Sequence, residues 1–160
     1  SAASDVYKRQ AVESESIAKN VLRRLKFDND TLHKVCKLVY YHDYRMPAEA
    51  ANVRKAMNKI GEDLFPYYME VRRADVLAQS SYQREEKLSN LDAIEKLYCE
   101  ILEKKQCVSL KGLAVTGKDL IEAGMKPGKE IGDKLEEMLG IVLINPEKNT
   151  KEALLKTLHI

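Results

Sequence analysis

The feature that most limits what this chain can fold into is the spacing of its apolar residues, which recur at steps of three and four along almost its whole length. Such a stripe matches the turn of an α-helix. No segment alternates convincingly with the period of two that a half-buried strand requires. The first run is Ile17, Ala18, Val21, Leu22 and Leu25. Asp28, Asn29 and Asp30 then supply turn and N-cap chemistry, and Leu32, Val35, Cys36 and Val39 repeat the spacing up to Tyr41. Pro47 is placed to open a third helix bearing Val53, Ala56, Met57 and Ile60, with Gly61 as its left-handed C-cap. Asp63 and Pro66 start a fourth, near residues 63–79. The fifth carries the clearest stripe, Leu88, Leu91, Ile94, Leu97, Tyr98, Ile101 and Leu102. Glu85 and Glu86 at its start and Lys104 and Lys105 at its end both favour the helix dipole.

From Cys107 onward the texture changes, because Gly112, Gly117, Gly124, Gly128, Gly132 and Gly140 break the chain into shorter pieces. Thr116 can cap a short helix through Leu120 and Ile121. Pro127 can begin a longer one bearing Ile131, Leu135, Met138, Leu139 and Val142, and Thr150 a last one. The expectation is therefore an all-α protein, a helical bundle over 11–106 followed by a smaller helical subdomain over 107–160. Residues 1–10 read as a non-native leader. Asp5 to Gln10 can be encoded by GATGTGTATAAGAGACAG, which resembles the end of a transposase-based sequencing adaptor, and the same codons in untagmented genomic DNA would refute that reading.

Composition narrows the function classes. At 160 residues the chain holds one domain or two small ones, and no apolar run approaches the roughly 20 residues of a membrane helix. With 27 basic and 25 acidic residues the bulk field is too weak to argue for nucleic acid, so any basic patch must be local. Cys36, Cys99 and Cys107 are odd in number and lack metal-type pairing, which suits reduced thiols in a cytoplasm. The sequon Asn29–Thr31 lacks a secretory signal and reads as accidental. Walker loop, dinucleotide fingerprint, serine elbow and Cys/His catalytic pairing are all missing.

Four constellations can carry chemistry. His42 and Asp43 are a His–carboxylate pair of the kind that holds divalent ions in HD-type phosphohydrolases, with Asp75 as a third candidate ligand. Adjacent helical residues point about 100° apart, so the pair cannot close a site, and His33 falls on the opposite face. Arg72 could instead take the Asp75 charge in an ordinary pair. Arg45, Arg54, Lys55, Lys59, Arg72 and Arg73 recur over three helical segments. Among them Arg72 and Arg73 best suit bidentate phosphate contact. The run Gly124–Met125–Lys126–Pro127–Gly128–Lys129 is a tight turn leading into a helix, where free amides, the dipole and two lysines can receive an anion. The same glycines serve equally well in a plain helix–turn–helix. Lastly, Tyr40, Tyr41, Tyr44, Tyr67, Tyr68 and Tyr82 crowd the middle of the chain, as stacking platforms or as core edges.

Three stretches carry a resemblance to a known family: Val21–Phe27 (VLRRLKF), Tyr41–Arg45 (YHDYR) and above all Val115–Leu135 (VTGKDLIEAGMKPGKEIGDKL). They resemble the carboxyl-terminal half of bacterial tRNA nucleotidyltransferases, the CCA-adding enzymes of the poly(A) polymerase family, over Ala11 to Ile160. The resemblance implies a tRNA-gripping helical portion, cytoplasmic and not membrane-bound. It implies RNA contact through Arg72, Arg73 and the turn carrying Lys126, Gly128 and Lys129. It implies no cofactor for this segment, and Mg²⁺ with CTP and ATP for a parent enzyme whose amino-terminal nucleotidyltransferase head is missing here. Some relatives insert an HD-type domain, of which this sequence would keep only the later metal positions, His42 and Asp75. A phosphohydrolase of the HD superfamily and a purely structural helical module are the competing expectations.

Overall fold

A computed structural model describes residues 2–158, with side chains from Arg9 onward; His159 lies outside the described residues. Eight α-helices and two short 3₁₀ turns account for its regular structure, and among the described residues there is no strand, as the periodicity requires. The chain divides into two units, each described by itself. The first joins residues up to Pro47 with Ile60–Ala93; the second joins Ala48–Lys59 with the stretch from Ile94 on.

In the first unit α1 (Ala2–Arg24) packs along α2 (Asn29–Tyr41), and α2 also meets α4 (Phe65–Ala78). Asp28 caps α2 by accepting from the Thr31 backbone N–H at 2.9 Å and from its hydroxyl at 2.6 Å. Leu32, Cys36, Met46, Phe65, Tyr68, Met69, Val76 and Leu91 form the core. Only part of the stripe expected on α1 is covered: Ala18 and Leu22 are half-buried, whereas Ile17, Val21 and Leu25 remain exposed. Its main neighbour, α2, covers an arc too narrow for a five-residue apolar face. Helix α4 begins at Phe65 rather than Asp63 and carries Pro66 in its first turn, where the missing N–H has no intrahelical partner to lose.

The second unit takes most of α3 (Ala50–Ile60), the later part of α5 (Arg84–Glu103), α6 (Gly117–Glu122), α7 (Lys129–Ile144) and α8 (Lys151–Leu155). Pro47 does not open α3. The helix starts three residues later, after an irregular stretch in which Met46 is buried. Val53, Ala56, Met57, Ile94, Ile101, Val115, Leu120, Met138, Leu139, Val142 and Leu154 are almost wholly buried. Leu102, expected on the α5 stripe, is exposed. Gly61 follows α3 at φ 102°, the left-handed conformation expected of it.

Candidate functional site

In the first unit, α2 ends at Tyr41 and the chain turns through His42 and Asp43, which brings that turn beside α4. The His42 ring Nδ1 donates to the Val39 carbonyl at 2.6 Å, so the ring is tied to its own helix. Arg72 reaches the turn from α4. Its Nη1 lies 3.2 Å from the His42 carbonyl, 3.2 Å from Asp75 Oδ2 and 3.9 Å from Asp43 Oδ1. Asp43 is also held by Arg45 at 3.1 Å, and Asp75 accepts from Gln79 Nε2 at 2.8 Å. The Tyr68 hydroxyl donates to the Tyr44 carbonyl at 2.5 Å, and burial pushes its pKa up to about 12.

These positions bear on the metal reading. Among the described residues no group of three or more His, Cys, Asp or Glu side chains gathers as a metal site. Where His42, Asp43 and Asp75 do come near one another, a guanidinium stands between them. A divalent ion there would have to compete with that fixed positive charge for both carboxylates. The donor set does not fit a divalent ion.

The basic run expected to face phosphate is divided by the fold. Arg72 is only 7% exposed, its charge spent on the turn and on Asp75. Arg73 is part-exposed and pairs with Asp92 at 2.8 Å. Arg54 is 4% exposed: it donates to the Leu143 carbonyl at 2.8 Å, to Gln106 Oε1 at 2.9 Å and to the Ile144 carbonyl at 3.1 Å. It therefore caps the carboxyl end of α7 and is no surface cation, a correction whose cause is helical phase. Arg54 sits three residues before Met57 and next to Val53, on the buried side of α3.

In the second unit the segment from Thr116 to Leu135 folds as two helices joined by a tight turn. Thr116 and Asp119 make a reciprocal capping box on α6, and Lys151 pairs with Asp119 from the first residue of α8. Through hydrogen bonds from Lys151 and then Thr116, the Asp119 carboxyl is held far below the usual carboxylate range. A methyl group on Gly117 would lie 3.1 Å from Ile131 Cγ2, so the start of α6 approaches α7 closely. The end of α6 closes by two bonds, from the Gly124 N–H to the Ile121 carbonyl at 2.9 Å and from Met125 to Leu120 at 3.0 Å, with Gly124 at φ 105°. Lys126, Pro127, Gly128 and Lys129 are all exposed beyond that cap. Helix α7 starts at Lys129, two residues after Pro127, with Gly128 at its N-cap and no side chain to occupy the first amides. Neither Lys126 nor Lys129 forms an ion pair with a described residue, whereas Lys118 does, with Glu122 at 3.9 Å.

The tyrosines separate by role. Tyr40, Tyr41 and Tyr44 pack edge to face, with ring centroids 4.9 and 6.0 Å apart, and Tyr68 is buried. Tyr67 and Tyr82 are exposed.

Fold and site together define an all-α module with a lysine-bearing helix–turn–helix, and without a metal-ligand cluster among its described residues. Residues 10–158 match the family described as tRNA nucleotidyltransferase domain 2. The chain belongs to that family. No curated protein and no solved structure matches it.

Proposed function

We propose that this chain is the tRNA-gripping helical portion of a CCA-adding tRNA nucleotidyltransferase of bacterial type. The family match over residues 10–158 carries the reading. The exposed turn of Lys126, Gly128 and Lys129 supports it, with two cations that form no ion pair with a described residue at the open amino end of a helix of 16 residues. Arg73, part-exposed, is the second contact point; Arg72 supports the turn at His42 from within. Nucleotidyl transfer with Mg²⁺, CTP and ATP belongs in this account to a separate head, and the setting is the cytoplasm.

The mechanism of grip follows from phosphate chemistry. Each lysine that neutralises a phosphate releases a condensed counterion, so affinity falls with salt in proportion to the number of contacts. Fluorescence anisotropy with labelled tRNA over a salt series tests this. The Lys126→Ala, Lys129→Ala double variant should bind more weakly and lower the log–log salt slope by about 2. An unchanged slope would remove these lysines from the interface.

A further inference from the structure

We infer that Arg72 is a resident cation, taking within the fold the place a divalent ion would hold among His42, Asp43 and Asp75, so that this cluster is organised without metal. Three oxygens converge on one guanidinium nitrogen: the His42 carbonyl at 3.2 Å, Asp75 Oδ2 at 3.2 Å and Asp43 Oδ1 at 3.9 Å. These are hydrogen-bond and ion-pair distances, and the group making them is buried, with a side chain 8% exposed.

The charges close locally. Asp43 and Asp75 bring two negative charges; Arg72 and Arg45, the latter 3.1 Å from Asp43, bring two positive ones. Each of these two carboxylates already has a cationic partner. A guanidinium is never deprotonated in a protein, so this cation is permanent where a bound metal could be exchanged or chelated. Its fork also joins two elements, because it bonds both a main-chain oxygen of the turn after α2 and a carboxylate one helical turn along α4. Tyr68, four residues before Arg72 on α4, ties the same turn again through the Tyr44 carbonyl. The turn at 42–44 is thus fastened to α4 by two side chains of one helix face.

The proposal does not depend on RNA binding, and it is tested on the full chain with metal ions and heat alone. The purified chain is incubated with excess Mn²⁺ or Zn²⁺, desalted, and its metal counted, and its unfolding is followed with and without EDTA. The expected result is no stoichiometric metal and one melting temperature in EDTA and in Mn²⁺. Arg72→Ala exposes the two carboxylates to each other, so its melting temperature should fall and then rise again on adding millimolar Mn²⁺, which the wild type does not do. Adding Asp75→Asn to Arg72→Ala should cost less than the same change costs in the wild type, since the carboxylate then lacks its partner. Stoichiometric metal in the wild type that is lost in His42→Ala would overturn the proposal. So would equal losses from Asp75→Asn in the two backgrounds. The wild-type metal count by itself needs no variant.

Discussion

Arg54 turns its charge inward from the middle of α3 and spends it on two carbonyls at the end of α7 and on Gln106. Burial draws its pKa below the ordinary arginine value, and the compensation is the partial negative charge of a helix carboxyl terminus. Replacing it with methionine keeps much of the volume but leaves the buried Leu143 carbonyl and the part-buried Ile144 carbonyl unmatched. The expected loss is about 3 kcal/mol in a urea titration, with lysine recovering part of it. By residue type Arg54 belongs with the surface cations; only its phase relative to Val53 and Met57 marks it as internal. The cap on α6 shows the opposite legibility, since Thr116 reads as an N-cap in the sequence, while the bond from Lys151 to Asp119 crosses 32 residues and does not. The pKa of Asp119 is lowered on folding, so its contribution is present in full above the unfolded carboxylate value and is lost as pH falls through the folded value. The stability gap between wild type and Asp119→Asn should therefore be widest near neutrality and close progressively below about pH 4, read as unfolding midpoints at several pH values.

Helix ends show how much an element owes to single backbone angles. Three of them close with the same pair of backward bonds, after α1, α5 and α6, but only the last uses glycine. Lys26 and Lys105 hold φ at 59° and 48°, a region costing a residue with a Cβ roughly 1 kcal/mol. Lys105→Gly should raise stability by about 0.5 kcal/mol or more, and Gly124→Ala should lower it by about 1 kcal/mol, both measurable by thermal unfolding. Lys105 is legible as a dipole partner at the end of its helix, not as a left-handed cap, because a charge pattern carries no information about φ. Helix existence was legible because a stripe of apolar residues has few other uses. Exact starts were less so: Pro47 and Pro127 both stand ahead of their helices, since proline fits an extended approach as well as a first turn. The α1 stripe over-reported burial, because periodicity records an apolar face without recording how wide its neighbour is.

For the whole molecule, a net charge of +2 gives no long-range pull on an anion, so binding must come from placement. The helix–turn–helix at Val115–Leu135, the place proposed for such binding, is legible in the sequence because capping residues, a turn glycine and lysines lie in one continuous stretch. The fate of Arg72 could not be read that way. Its partners, the His42 carbonyl and Asp43, come from some thirty residues upstream and meet it only through packing of α2 on α4. The account proposed above, in which this chain holds tRNA by its phosphates, draws on family membership, the all-α fold and an uncapped, lysine-flanked amino end of α7. Hydrogen–deuterium exchange of the chain with and without saturating tRNA tests that account where it is most exposed. The account predicts slower exchange of the backbone amides at 124–130, reversed by high salt. Unchanged exchange across 124–130 in the presence of bound tRNA would contradict it.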